Sequence, residues 1–303
     1  MTNKTSTKRN ATMTGIEQYN AAARASSAMV IGTYSTSFGL AAKLLSPRIR
    51  EQIRTIYALV RIADEIVDGA AAGAGLDDLE QRELLDDLEN ETRGAIRRRY
   101  STNLVVHAFA LTANETGIDD SLTAPFFASM RRDLDPAPFT ADGVAEYIYG
   151  SAEVIGLMCL RAFEVGESRT LDETKRLEAG ARALGAAFQK INFLRDLAAD
   201  SETLGRNYFP GIDPSTMTEA QKNAILDDID ADLQLADSVL PMLPGGCRSA
   251  VTAAHHLFAL LAKRLRATSA TDLLATRVRV PDAQKLLLAI SVSVSAGTEA
   301  RKR

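Results

Sequence analysis

Residues 47–68 read Pro47-Arg48-Ile49-Arg50-Glu51-Gln52-Ile53-Arg54-Thr55-Ile56-Tyr57-Ala58-Leu59-Val60-Arg61-Ile62-Ala63-Asp64-Glu65-Ile66-Val67-Asp68. Ile49, Ile53, Ile56, Val60, Ala63 and Val67 recur at spacings of four and three, the period of a helix that buries one stripe. Ser46 stands at the N-cap position, Pro47 at the first helical position and Gly69 just past the end. About 100° further around the axis lies a second stripe, Tyr57, Arg61, Asp64 and Asp68. It sets two carboxylates one turn apart on a face bordering the core. Like charges at this spacing destabilise a helix, and acids at its carboxyl end oppose the macrodipole. Something outside the helix must offset that cost.

The arrangement recurs downstream. Leu184, Phe188, Ile191 and Leu194 carry an apolar seam, while Gly185, Gln189, Asn192, Asp196 and Asp200 form a polar stripe. The first four of those positions follow Tyr57, Arg61, Asp64 and Asp68 by 128 residues each. Facing one another, the stripes would crowd buried acid together unless divalent cations filled the gap. Oxygen donors without His or Cys suit Mg²⁺, with Mn²⁺ as the alternative. Mg²⁺ keeps several waters and completes its octahedron with substrate phosphates. The pairing predicts a diphosphate clamp. Asp228 and Asp232 share the spacing, but they lie in the acidic run Asp227-Asp228-Ile229-Asp230 without a partner stripe and read as a solvated helix face.

Apolar residues at three-and-four spacing run through the chain, predicting helices over 16–44, 47–68, 77–100, 103–116, 121–134, 140–165, 171–200, 216–240, 247–267 and 280–295. Ala70 to Gly75 reads as a small-residue loop. Strand-like alternation is confined to Arg277–Val280 and Ile290–Ser295, too little for a sheet. No linker divides the chain, so the expectation is one all-α domain over 16–296, between a disordered tail at 1–15 and a polar tail at 297–303.

Of the 303 residues, 46% are hydrophobic and 24% charged, which excludes wholesale disorder. Thirty-five Lys+Arg against 39 Asp+Glu leaves a net charge of −4, so no polycationic footprint for nucleic acid exists. Cys159 and Cys247 lack metal-ligand spacing and read as small apolar residues. His107, His255 and His256 have no partners at ligand spacing and read as structural or surface residues. The first fifteen residues lack a signal-like apolar stretch, and the most apolar window, Tyr147 to Phe163, contains Glu153 and Arg161. A cytoplasmic protein is expected, with peripheral membrane contact and oligomeric state left open.

Asp64-Glu65-Ile66-Val67-Asp68 together with Gln189 to Asp200 resembles the two aspartate-rich motifs of the squalene/phytoene synthase family. Tyr34-Ser35-Thr36-Ser37-Phe38 is similar to that family's amino-terminal substrate-contact motif, and Tyr57-Ala58-Leu59-Val60-Arg61 to the approach to the first acidic motif. Tyr147 to Gly156 looks like the central helix of phytoene synthases, and Gly205-Arg206-Asn207-Tyr208-Phe209-Pro210 like the loop after the second motif.

The resemblance implies an α-helical isoprenoid-synthase bundle with a central cavity, joining two prenyl diphosphates head to head through a cyclopropyl intermediate. It assigns Asp64, Asp68, Asn192, Asp196 and Asp200 to metal and diphosphate. Arg61, Gln189, Arg195, Arg206 and Tyr208 fall on positions contacting substrate or its diphosphates, although the helical phase of Arg195 points toward the packed seam. Ser35, Ser37, Phe38, Tyr57 and Tyr147 are available to the substrate, the aromatic rings facing a carbocation. Gly39, Ala42, Gly150, Ser151 and Ala152 are small enough to leave room for a long chain. Geranylgeranyl diphosphate and phytoene are the expected substrate and product.

Squalene and dehydrosqualene synthases acting on farnesyl diphosphate share most of this equipment. The chain shows no Gly-rich dinucleotide loop after a strand, so NADPH is not expected. Terpene cyclases want serine and glutamate where Asp196 and Asp200 stand. A noncatalytic helical assembly factor would not require both acidic stripes with Arg61 and Arg206. Glu65 and Glu153 are further candidates for metal or substrate contact.

Overall fold

A computed structural model describes residues 13–35, 41–135, 137–197, 207–275 and 278. Its helices are α1 (Gly15–Tyr34), α2 (Pro47–Val67), the single turn α3 (Ala70–Gly73), α4 (Asp78–Arg98), α5 (Leu104–Thr116) and α6 (Asp120–Asp133). Then follow α7 (Ala141–Ile148), α8 (Val154–Phe163), α9 (Leu171–Arg195), α10 (Glu219–Val239), α11 (Gly245–Ala267) and α12 (Ala270–Ala275). No strand occurs among the described residues.

Local chemistry fixes the helix starts. Thr14 with Glu17, Asp77 with Glu80, Thr170 with Glu173 and Thr218 with Gln221 form reciprocal capping boxes at α1, α4, α9 and α10. At the end of the expected tail Thr14 caps α1 and Gly15 is its first helical residue; residues 1–12 lie outside the described residues. So do the predicted helix 280–295, the strand-like segment 290–295 and the tail 297–303.

Three expectations of local structure are corrected. The first helix stops at Tyr34 instead of reaching residue 44, because Ser35 is extended (φ −138°, ψ 112°). The run Tyr34-Ser35-Thr36-Ser37 supplies hydroxyls that compete for backbone groups and disfavour helix. The loop at 70–75 contains α3, since consecutive alanines favour a helical turn over open loop. The helix expected over 140–165 is present, but Tyr149–Glu153 form a π-helical turn between α7 and α8.

The predicted seams are buried. On α2, Ile49, Ile56, Ala63 and Val67 are 7% exposed or less, and Ile53 and Val60 pack beside them. This seam joins Leu85 and Leu88 of α4, Phe109 of α5, Phe126 and Phe127 of α6, and Val154 and Met158 of α8. On α9, Ile191 and Leu194 enter a second core with Leu226 and Ile229 of α10 and Leu261 and Leu265 of α11. Phe188 stacks on Phe258 there. Helix α8 packs against both α2 and α9 and so sits between the two helices that carry the acidic stripes.

Glycine permits the closest helix approaches. A Cβ on Gly156 would lie 2.4 Å from the Ala181 carbonyl oxygen, and one on Gly185 2.6 Å from that of Ala152. A Cβ on Gly150 would lie 2.2 Å from the Pro125 carbonyl oxygen. Gly150 therefore does not leave room for a substrate chain, because neighbouring backbone occupies that space. Gly185 is likewise a packing position rather than the start of an open polar stripe.

Asp228 and Asp232 are also not simply solvated. Both accept from Lys190 Nζ on α9, at 2.8 Å for Asp232, clamping α9 to α10. Burial alone would lower the Lys190 ammonium, but these carboxylates hold it above its ordinary value. Lys190→Met is expected to destabilise the fold by about 1–3 kcal/mol, because Asp232 keeps its charge in a partly buried place without a donor. Thermal denaturation of the variant beside Asp228→Asn measures this; the exposed Asp228 should cost far less.

The remaining polar expectations hold. His107 is fully buried, its Nε2 2.7 Å from Asn20 Oδ1 and its Nδ1 accepting from the Ser101 amide. His255 Nε2 lies 3.0 Å from the Leu233 carbonyl oxygen, and His256 is on the surface. Burial pushes both cysteine thiols up to about 12. No described helix is long and apolar enough to cross a membrane.

Candidate active site

The first stripe projects from the last three turns of α2. Tyr57, Arg61 and Asp64 are partly buried and Asp68 is exposed, next to seam residues that are closed to solvent. Asp68 caps the helix with its amide bonded to the Asp64 carbonyl oxygen at 2.8 Å. Both carboxylates thus occupy the end of the helix where the macrodipole is negative.

Arg61 organises the surroundings. Its guanidinium binds Glu65, lies 3.9 Å from Asp64 and stands over the Tyr34 ring, 4.4 Å from the centroid. Burial would weaken its positive charge, but Glu65, Asp64 and Tyr57 hold its pKa above the ordinary value. Glu65 is therefore the partner of Arg61. Burial also raises the Tyr57 hydroxyl, opposed by Arg61 and by a hydrogen bond with Ser35. That contact brings Ser35, at the end of α1, to the first acidic motif.

Asp64 retains 32% of its side-chain surface, yet its carboxyl is recessed. Burial, then the Asp68 charge, push its pKa up to about 7 against the pull of Arg61. The excess of negative charge inferred from spacing is present in the fold. Among the described residues no three His, Cys, Asp or Glu side chains converge as a closed metal cage. Carboxylates offered in pairs suit a cation that retains waters and takes its other ligands from phosphate. The oxygen donors of Asp64, Asp68, Asn192 and Asp196 fit Mg²⁺ on that ground.

The second stripe lies on the last turns of α9, where Gln189, Asn192 and Asp196 remain partly open to solvent. Asp196 caps α9, its amide bonded to the Asn192 carbonyl oxygen at 2.9 Å. Arg195 does not join the packed seam. It grips Asp196 instead, Nε donating to Oδ1 at 3.1 Å.

Beside the second stripe stands an aromatic cluster. Tyr147, Phe193 and Tyr208 are 6% exposed or less. Phe193 and Tyr208 stack at 3.9 Å between centroids, Tyr147 lies 5.5 Å from Tyr208, and Phe139 meets Tyr147 edge-on at 5.2 Å. The Tyr147 hydroxyl donates to Asp133 at 2.8 Å. Burial raises its pKa well above the ordinary value, and among the charges that add to this are Asp133 and Asp68. Tyr147 thus senses Asp68 of the first motif while its ring lies 6.1 Å from Phe193, the neighbour of Asn192.

Other expected residues lie elsewhere. Ala42 is 5% exposed, in a core with Leu45, Ile49, Leu160 and Phe163, and its carbonyl accepts from Arg50. Ser151 lies on the π-helical turn, its buried Oγ without a partner among the described residues. Glu153 pairs with Arg182 at 2.6 Å. Ser37, Phe38, Gly39, Asp200 and Arg206 lie outside the described residues, as does part of the segments expected to wall a central cavity.

Sequence reasoning does not identify Asp133 or Ser129 as neighbours of the site, whereas Tyr34, first residue of the motif that resembles a substrate contact, lies under the Arg61 guanidinium. Ser129 and Asp133 are one turn apart on α6, and both face the core at 5% and 8% exposure. Two polar residues on the buried face of an amphipathic helix are the signal that could have found them.

A model of the squalene/phytoene synthase family matches residues 31–284. The 15-cis-phytoene synthase of Paracoccus sp. is 29% identical over 248 residues, 77% of this chain and 78% of that protein. The 15-cis-phytoene synthase of Enterobacter agglomerans is 33% identical over 187 residues, 58% of each. A dehydrosqualene synthase crystallised with a ligand superposes with a TM-score of 0.74 at 22% identity, over 93% of this chain and 99% of that one. The likeness gives the chain the isoprenoid-synthase fold. With acidic residues at the ends of α2 and α9, an aromatic cluster beside the second of them, and a family match over most of its length, the chain belongs to the squalene/phytoene synthase family of head-to-head prenyltransferases.

Proposed function

We propose that the chain is a phytoene synthase, condensing two molecules of geranylgeranyl diphosphate through the cyclopropyl prephytoene diphosphate to phytoene. Two diphosphates and two protons leave. The observation that carries this reading is the placement of Arg61, Asp64 and Asp68 at one end of α2, with Asp68 close enough for its charge to act on the Tyr147 hydroxyl. Identity with two phytoene synthases supports the product.

Asp64 and Asp68 on one side, Asn192 and Asp196 on the other, would hold Mg²⁺, with Asp200 extending the second set. Bound there, Mg²⁺ supplies positive charge to the departing diphosphate oxygens. Arg61 adds a guanidinium, already held by Glu65 and by the Tyr34 ring, so little reorganisation is needed when the leaving group charges. Arg206, beyond the described residues, is assigned the same role. The rings of Tyr147, Phe193 and Tyr208 exclude water and turn π faces toward the cation that ionisation creates.

Incubating the protein with farnesyl and geranylgeranyl diphosphates, with Mg²⁺ or EDTA and with or without NADPH, tests the proposal by product mass. The expected result is a C40 hydrocarbon of phytoene mass from geranylgeranyl diphosphate, formed with Mg²⁺ and indifferent to NADPH. A C30 hydrocarbon in preference to the C40 product contradicts it, as does full turnover in EDTA.

A further inference from the structure

Helix α6 carries Pro125, Ser129 and Asp133 at spacings of four, one stripe directed at the segment that holds Tyr147. Each residue engages that segment at a different level. The Pro125 carbonyl occupies the space above Gly150. Ser129 Oγ donates to the Tyr147 carbonyl oxygen at 3.1 Å. Asp133 accepts from the Tyr147 hydroxyl on both carboxylate oxygens, at 2.8 and 3.0 Å. The ring also packs near Phe139, Tyr208 and Phe193, at 5.2, 5.5 and 6.1 Å between centroids. Behind Phe139 stands the Arg132 guanidinium, 4.0 Å from the ring centroid.

Asp133 and Tyr147 are 8% and 6% exposed, so this carboxylate is not a solvated surface acid. A carboxylate at that depth is costly unless donors satisfy it. The phenol is constrained in return. With its proton committed to Asp133, the hydroxyl presents only lone pairs to other groups, and the nearby negative charge enriches the ring in electron density. Such a ring attracts a cation at its face more strongly.

We propose that Asp133 is a positioning residue for the condensation: by accepting from the Tyr147 hydroxyl it sets the orientation and electron density of the ring that faces the carbocation. This rests on the prenyl diphosphate reading above. Asp133 acts on the condensation through Tyr147 rather than on a reacting atom, so its removal should alter the fate of the cation rather than the binding of substrate.

The test uses the full chain with geranylgeranyl diphosphate and Mg²⁺, comparing Asp133→Asn, Tyr147→Phe and the double variant. Each is read for kcat, KM and the share of substrate released as the cyclopropyl diphosphate or as quenched alcohols. Asp133→Asn is expected to lower kcat about tenfold with KM within about twofold, and to raise the aborted share. Tyr147→Phe should do the same, and the double variant should be no worse than Tyr147→Phe. A wild-type product partition in Asp133→Asn overturns the inference, as do effects that multiply in the double variant. If Asp133→Asn folds poorly, Tyr147→Phe still decides, because it preserves the ring, and a wild-type partition there is equally fatal. A parent chain that condenses no prenyl diphosphate overturns the functional reading and this inference together, whereas an active parent with unaffected variants overturns this inference alone.

Discussion

Asp64→Asn is expected to lower the rate of condensation by about 10²–10³-fold while leaving the protein as stable as the parent or more so. The two effects have one origin. Asp64 and Asp68 repel one another across a single turn and oppose the helix dipole at the end of α2, where burial has already raised the Asp64 carboxyl to about 7. An isosteric amide relieves a cost of about 0.5–1.5 kcal/mol. The lost contact with Arg61, at 3.9 Å and partly exposed, subtracts little. Steady-state kinetics beside thermal denaturation separates this from a folding defect, since equal losses of activity and stability would mark Asp64 as a structural residue.

The pH dependence of the metal-free protein carries the same information. Asp64 binds a proton more tightly in the folded chain than in the unfolded one. Its contribution to stability is complete below the ordinary carboxylate range and is lost as pH rises through about 7. In EDTA, the parent should lose stability over that window more steeply than Asp64→Asn. Parallel curves for the two proteins would contradict the assignment.

Gly150→Ala is expected to be the most damaging single methyl in the fold. The added carbon would lie 2.2 Å from both the Pro125 carbonyl oxygen and Ser129 Oγ, and 2.9 Å from the Pro125 carbonyl carbon. A serine hydroxyl can rotate away, but backbone cannot, so α6 and the π-helical turn must separate. Overpacking of this kind costs about 2–3 kcal/mol, a fall of roughly 3–5 °C in melting temperature for a chain of this length. Activity should fall beyond what unfolding explains, because the same displacement disturbs the Tyr147–Asp133 bond. Gly32→Ala, where nothing lies within 4 Å of the new carbon, is the control and should be neutral or stabilising. A Gly150→Ala protein that melts with the parent would show that the helices have slack here.

The contrast between Gly150 and Asp64 shows which features the sequence makes legible. Asp64 belongs to a stripe with its own period, so its place beside the buried seam of α2 follows from arithmetic on 3.6 residues per turn. The capping residues before α4, α9 and α10, and Pro47 at the start of α2, mark boundaries for similar local reasons. Gly150 carries no such mark. Whether a small residue makes space or lets another backbone fill it is decided by α6, and that packing is tertiary. Lys190 was hidden for the same reason: its partners Asp228 and Asp232 belong to a helix that only the fold brings alongside. The π-helical turn at Tyr149–Glu153 is also a product of packing, lying where α6 and α9 both approach the chain closely. Asp133 is intermediate, since its spacing of four from Ser129 is a pattern in the sequence but the tyrosine that donates to it is brought there by packing.

The account depends on two acidic helix ends holding one diphosphate through a divalent cation, and calorimetric titration with an unreactive geranylgeranyl thiolodiphosphate measures that directly. Binding should require Mg²⁺, and should be weakened at least tenfold by Asp64→Asn on α2 and by Asp196→Asn on α9 alike. Equal affinity in Mg²⁺ and in EDTA, or an effect confined to one of the two helices, would contradict it.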